Sequence, residues 1–543
     1  MGQHRLTPLR STGGPPGAAR RTGIRAAALA IAVGVTTVLS GTLLAAARAE
    51  VTPSLGYDVA DSGSPYAVAQ MIGAQQAWAE GWTGTGVDVA VIDTGITPVP
   101  GLDAAGKLVT GPDLSLDAPG APVPGLDAHG HGTFMAGLIA AEPVNGSDNA
   151  DPGEYTGMAP GARLVNVKVG AYDGAVDVTQ VIAAVDWVTE HAHDPGMNIR
   201  VLNLSFGTDS DNDYQVDPLT HAVERAREQG ILVVAAAGND GKPTKDLADP
   251  AYDPYVLAVG GDDPNGTVDL ADDNVPDFAQ HGTAHRPVDV IAPATHLIGL
   301  RVPGSYVDTL DDNAGQVGDR FQRGSGTSQS AAVVSGAAAL LFQKYPQADP
   351  DTIKAMLNDN AHALLRGHGK ASAPGQMLYS GHGIVDVAAA LDATPGTDPQ
   401  TWPTSDGTGD LEDTRGEATV ADPEPLEGEQ DIFGHPVDTA ALAAQRSAGS
   451  AWTQGIWNGS RWSGDGWDGL TWQQTTWTGS RWSGEQWSGS RWSDMTWTGS
   501  RWSGNGWNGS RWSGSRWSGS RWSGSRWSGS RWSGSRWSEW SHS

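Results

Sequence analysis

The sequence predicts a three-layer α/β fold between about Ser64 and Ala393, with a mostly parallel central sheet and helices on both faces. Three observations predict it. Apolar, strand-like runs alternate with helix-like ones, the pattern of strands joined by crossovers. Five such runs stand out: Val87 to Ile92, Leu164 to Val169, Ile199 to Ser205, Ile231 to Ala236 and Tyr255 to Gly260. Between them, apolar residues recur at helical spacing. Val178, Val181, Ile182, Val185 and Val188 do so after the second run, and Leu219, Ala222, Val223 and Ala226 before the fourth. These helices supply the crossovers that parallel strands require.

The segments outside this body follow in order. Five arginines from Arg5 to Arg25 precede an apolar run, Ala26 to Ala47, that closes on Ala47-Arg48-Ala49. That is the layout of a secretory signal peptide over 1–49, with an N-terminal membrane anchor as the alternative. Residues 50–63 then form a short leader. After Leu391 the composition turns to Thr, Pro, Gly, Asp and Glu, so 394–450 reads as an acidic low-complexity linker with room for a short helix at 437–446. From Trp452 to Trp537 a Trp stands at every fifth position, 18 in all, and the later units are nearly pure SGSRW. A period of five gives no common face on a helix and alternates sides on a continuous strand. The tail 451–543 is therefore either a solenoid turning every five residues or a solvated low-complexity chain.

Charge divides the same way. Residues 1–49 hold six Arg and no acid, 451–543 hold ten Arg against five acids, and the stretch between is net −39 out of a total of −28. An acidic body argues against nucleic-acid binding, and the thin positive charge of the tail does too. Cysteine is absent, which removes thiol nucleophiles, disulfides and thiolate metal sites.

The chemistry sits in three stretches: VAVIDTG around Asp93, HGTFMAG from His131, and GSGTSQSAA around Ser328. A Ser hydroxyl is a weak nucleophile unless an imidazole takes its proton and a carboxylate orients that imidazole. Five blocks in order, GVDVAVIDTGI, HGHGTFMAGLIA, VLNLSFG, VVAAAGN and GTSQSAAVVSGAAALL, resemble the subtilisin-like serine proteases. The order Asp, His, Ser is the one known for subtilisin itself, so that step is borrowed from the family.

The resemblance implies a subtilisin-like fold and a secreted serine endopeptidase working through an acyl-enzyme. It makes Asp93 the triad acid, His131 the general base, Ser328 the nucleophile and Asn239 the oxyanion-hole amide. His131 fits the family's His-Gly-Thr motif and His129 does not, which leaves His129 as a loop residue facing substrate. Ser205, Phe206 and Gly207, with Ala236, Ala237 and Gly238, are implied as the walls that grip extended peptide. Gln329 and Ala332 stand where the family usually has Met and Pro, Phe134 where it often has His, and Thr208 where Gly is usual.

No cofactor is required and no metal ligand is assigned. A structural calcium is open at 145–154 through Asp148, Asp151 and Glu154, against a solvated acidic loop. Expected partners are protein or peptide substrates and, through the tail, an anionic cell-envelope polymer; a monomer is expected. The competing reading is a catalytically weak surface-binding protein whose Trp/Arg tail carries the function.

Overall fold

The computed structural model describes residues 55–117, 125–241, 246–313, 315–366, 377–396, 399–416 and 426–453. Short described stretches follow at 370–371, 418, 420, 456–457, 460–461, 486–487 and 496–497. The signal or anchor segment 1–49 and nearly all of the repeat tail lie outside the described residues.

Seven strands form one sheet: β1 (Asp88–Asp93), β2 (Leu108–Asp113), β3 (Arg163–Lys168), β4 (Ile199–Leu204), β5 (Leu232–Ala236), β6 (Leu257–Asp262) and β7 (Val290–Pro293). Their order is β2-β3-β1-β4-β5-β6-β7, and every neighbouring pair is parallel. The five predicted strands are all present, within about two residues of their predicted ends. Two strands escaped the pattern. In β2 the Gly111-Pro112 pair interrupts the apolar run, and the ladder shifts register between Thr110 and Asp113, a place where an edge strand tolerates proline. In β7 only four residues, VIAP, are extended.

Alternate residues explain why the strands are apolar on both faces. Val89 and Val91 of β1 point into one core, Ala90 and Ile92 into the other. The first core is filled by α1 (Pro65–Met71), α2 (Ala74–Ala79) and α3 (His131–Ala140). The second lies under α4 (Val178–His191) and α5 (Pro218–Glu228). A small antiparallel sheet of β8 (Leu297–Leu300), β9 (Gln316–Val317) and β10 (Phe321–Gly324), ordered β8-β10-β9, leads into α6 (Thr327–Lys344). Helix α6 returns to the first core, buried along its length from Thr327 to Phe342. It is joined there by α7 (Pro350–Asp359), while α8 (Met377–Ser380) and α9 (Val387–Asp392) end the predicted body. Among the described residues no helix is long and apolar enough to cross a membrane.

Two expectations about the flanks are corrected. The leader is part of the body from Leu55 onward: Leu55 and Tyr57 are buried in the first core, Val59 is buried too, and the Tyr57 ring meets Phe321 edge-on at 5.2 Å. These alternating apolar side chains have enough area to bury, which outweighs the brevity of the segment.

The acidic linker is likewise folded. The described residues between 399 and 457 lie as a strap across α4 and α5, with α10 (Leu411–Arg415) and α11 (Thr439–Ser447) in it. Leu411, Ile432, Phe433, Val437 and Leu442 are buried in the second core. Two arginines fix the strap. Arg415 Nε donates to Asp177 Oδ2 (2.8 Å), the N-cap of α4, with both side chains fully buried. Arg446 Nε donates to Asp186 Oδ1 (2.5 Å) in the middle of α4. The repeat itself begins inside this packing. Trp452 Nε1 donates to Ala183 O (2.7 Å) and Trp457 Nε1 to Asp186 Oδ2 (2.8 Å), and the two tryptophans are cross-strand partners. The composition misled because few apolar residues are used, most of those described are buried though Trp402 is exposed, and the remaining polarity goes into ion pairs and caps.

Candidate active site

Strand β1 is where the strand order turns, with β3 and β2 to one side and β4 to β7 to the other. In open parallel sheets such a switch point opens a crevice beyond the carboxyl ends of the strands. Asp93 is the last residue of β1 and is fully buried. It faces His131, the first residue of α3, whose Nδ1 lies 2.7 Å from Asp93 Oδ1 and 2.9 Å from Oδ2. An ionised carboxylate can only accept, so this contact places the ring proton on Nδ1 and leaves Nε2 as the basic nitrogen.

The approach of α3 to the end of β1 is close. A Cβ at Gly132 would fall 2.1 Å from Gly95 O and 3.1 Å from Asp93 Oδ1, so only glycine lets the helix seat His131 there. A second carboxylate, missed in the sequence, ties the two elements together. Asp127 is buried and accepts from His129 N (3.1 Å), Gly130 N (2.6 Å), Thr133 N (2.8 Å) and Thr94 Oγ1 (2.8 Å). Gly132 N in turn donates to Thr94 Oγ1 (2.9 Å), and Thr94 N to Asp93 Oδ1 (2.7 Å). Burial raises the Asp127 carboxyl above the usual range, while these donors pull it down. The available signal was an acid four residues before His131, at the entrance of a helix that needs its first N–H groups satisfied.

His129 differs from its expectation. It is fully buried, and its ring stacks on Tyr306 at 5.3 Å, so it packs the wall of the site rather than facing substrate. Burial, with His131 and Lys168 nearby, holds its imidazole well below the ordinary range.

Ser328 is the second residue of α6, within its first turn, where free backbone N–H groups and the positive end of the helix dipole gather. Its Oγ lies 3.5 Å from Ser205 O, which brings the nucleophile candidate to the end of β4. Asn239 follows β5. Its Oδ1 accepts from Thr327 N and Thr327 Oγ1, both at 3.0 Å, and its Nδ2 has no hydrogen-bond partner among the described residues. The side chain is thus held by its acceptor end with its donor end unused. Thr327 also accepts from Gly238 N at 3.2 Å, which locks α6 to the segment after β5.

The expected substrate walls are adjacent to Ser328. Ser205 Oγ donates to Ser328 O (3.4 Å), and Gly207 leads into Thr208. Phe206 presents backbone only, since its ring is buried in the second core. Across the cleft, Ala236 closes β5 and Ala237 N donates to Val259 O (2.9 Å). At Gly238, φ is +111°, and a Cβ would lie 1.8 Å from Gln280 Oε1, so glycine is required. Gln329, beside the nucleophile, is fully buried with both amide atoms unpartnered among the described residues.

In the stretch 145–154 the carboxylates serve their own turns. Asp148 accepts from Ala150 N (2.9 Å), Asp151 from Gly153 N (2.8 Å), and Glu154 from Val144 N (3.2 Å) and the Asn145 amide. Among the described residues no three acidic or histidine side chains are grouped to hold a metal, and no step below uses one.

A buried carboxylate–imidazole pair at a sheet switch point, in a chain that also holds a helix-start serine next to an amide with a spare donor, fits a serine hydrolase of α/β architecture. Residues 84–395 match the sequence model of the Subtilase family, and the chain belongs to that family. It is 36% identical over 285 residues to the serine protease AprX of Bacillus subtilis, an alignment spanning 51% of this chain and 61% of that protein. Subtilisin BL of Lederbergia lenta is 33% identical over 312 residues, 57% of this chain and 92% of the relative. Among solved structures, fervidolysin from Fervidobacterium pennivorans, a keratinolytic enzyme related to subtilisin, is 27% identical with a TM-score of 0.48, covering 62% of this chain and 48% of that one. The protein is a subtilisin-like serine endopeptidase.

Proposed function

We propose that Asp93, His131 and Ser328 cleave protein or peptide chains through an acyl-enzyme, with Asn239 binding the oxyanion. The observation that carries this is the His131 Nδ1 contact to both oxygens of a fully buried Asp93. His131 Nε2 takes the Ser328 proton as Oγ attacks the peptide carbonyl, and returns it to the leaving amine. A water then attacks the ester by the same route and frees Ser328. Asn239 Nδ2, together with the Ser328 N–H, meets the developing negative charge; losing one such donor costs about a hundred- to a thousandfold in turnover, a magnitude taken from subtilisin itself.

We further propose that the enzyme is exported by residues 1–49 and held at an anionic cell envelope by the repeat tail. The arginines of the tail and its regular tryptophans support this. The test combines two arms. The pure chain takes a fluorophosphonate label and cleaves a peptide library, while Ser328→Ala takes no label and loses cleavage by a factor on the order of 10⁶, again the magnitude of subtilisin. Unchanged cleavage by Ser328→Ala refutes the nucleophile. A chain ended after Arg461 keeps turnover of a small peptide and leaves cell-wall fractions; equal partitioning of both chains refutes the tail's role.

A further inference from the structure

The strap reaches beyond the second core to the rim of the cleft. Residues 208–216 directly follow the wall Ser205–Gly207, and the strap pairs with them along their length. Thr208 Oγ1 donates to Thr414 O (2.6 Å), Asp211 N to Asp413 O (2.9 Å), and Asn212 Nδ2 to Asp410 O (2.8 Å) and Thr414 Oγ1 (3.0 Å). In the other direction Asp406 N donates to Gln215 O (2.8 Å) and Gly409 N to Val216 O (2.7 Å).

Thr208 is also the hinge between the two candidate walls. Its N–H donates to Asp249 O (3.1 Å) and its carbonyl accepts from Asp249 N (2.8 Å). The preceding residue, Ala248, donates from N to Ala237 O (3.0 Å) in the opposite wall. The strap is also tied to the N-cap of α4, Asp177, through Arg415. Arg415 spends its other donors inside the strap, on Gly428 O (2.7 Å) and Gln430 O (2.5 Å). Arg415 and Arg446 together set the strap, which bonds Thr208 next to one wall and is linked to the other through the Thr208–Asp249 pairing and Ala248.

We propose that residues 406–416 are a clasp that fixes the width of the peptide-binding groove, with Arg415, Thr414 and Asn212 as positioning residues for extended substrate. This rests on the reading of Ser205–Gly207 and Ala236–Gly238 as the groove walls. The clasp's hydrogen bonds run to residues 208–216 and to Asp177, so its expected effect is on substrate binding rather than on the chemical step. A loosened groove costs main-chain pairing along a peptide and costs a small phosphonate nothing.

The test uses the full chain with Arg415→Lys and Asn212→Ala, measuring fluorophosphonate labelling, KM and kcat on an extended peptide, and amide exchange over 208–216. The expected result is a KM raised about tenfold in Arg415→Lys and severalfold in Asn212→Ala, with kcat and the labelling rate within about twofold of wild type. Exchange over 208–216 speeds up in both variants while exchange in α6 does not. Asn212 is half-buried and its substitution leaves the ion pair in place, so it decides the matter if Arg415→Lys fails to fold. An unchanged KM in folded variants overturns the clasp, and so does an equal fall in labelling and peptide cleavage, which marks a role in stability alone. A wild-type chain that takes no label overturns the catalytic assignment instead, and the clasp's purpose with it.

Discussion

On one face of the sheet, α6 buries every side chain from Thr327 to Phe342, most of them Ala, Val, Leu and Ser, against β4 to β7 and α3. On the other face, α4 is buried just as fully from Val178 to Val188, yet its outer side is covered by a strap rich in Asp, Glu, Gly and Pro. The first face is closed by shape and apolar area. The second is closed by a few apolar anchors and two arginine–aspartate pairs taken out of water, an arrangement that is costly to break because the surviving charge is left buried. A helix can thus be sealed on both sides by a segment whose composition looks unfit to fold.

Shortening the chain tests this difference most severely. A protein ended after residue 395, where the family match stops, exposes the outer side of α4 and α5 and is expected to aggregate on expression. One ended after Arg461 is expected to remain soluble and folded, as read by size-exclusion chromatography and circular dichroism. Equal behaviour of the two would mean that the strap adds nothing to closure.

Single substitutions separate the two kinds of closure. Arg446→Ala strands Asp186 and is expected to cost about 3–5 kcal/mol in denaturant unfolding. Leu340→Ala on the opposite face costs a similar 2–5 kcal/mol through its cavity. The distinction lies in rescue: Asp186→Asn added to Arg446→Ala recovers part of the loss, whereas no polar change rescues Leu340→Ala.

Acidity then sharpens the contrast. Burial pushes Asp117 up to about 7 and Asp173 to about 6, and raises Glu224 and Asp253 above the usual carboxylate range. Each holds its proton in the folded chain at a pH where the unfolded chain has lost it. Their contribution is therefore complete below about pH 4, the unfolded value, and is lost as pH rises through about 6 to 8. A Tm higher at pH 5 than at pH 8 is expected, with Glu224→Gln reducing the slope on the strap side.

The smallest effect concerns Gln329, whose buried amide has no hydrogen-bond partner among the described residues. Gln329→Met is expected to stabilise by about 1 kcal/mol and to make activity sensitive to peroxide. A loss of stability would show that the amide is satisfied by water.

The sheet, α4, α5 and α6 were legible because apolar periodicity records burial directly. Asp93, His131, Ser328 and Asn239 are marked by motifs around strand and helix ends; the structure sets His131 against Asp93 and Asn239 against Thr327, the neighbour of Ser328. Asp127 is not so marked, since its work is to accept backbone N–H groups and any nearby acid looks alike in sequence. The strap was hidden by its polarity, although α4 carried a clue: VTQVIAAVDWV offers hardly any polar side to solvent, as a helix buried all round should.

The burial of Trp452 and Trp457 has a bearing on how the chain can change over generations. Among the described residues, these two tryptophans of the repeat belong to the enzyme's own core. Among the described residues the repeat's contacts to the body are those of Trp452 and Trp457, so a chain with later pentads duplicated or lost is expected to keep these contacts. Tail length is then free to be tuned by whatever it meets outside the enzyme, while the first two units, though written in the same repeating text, are bound by the constraints of a core.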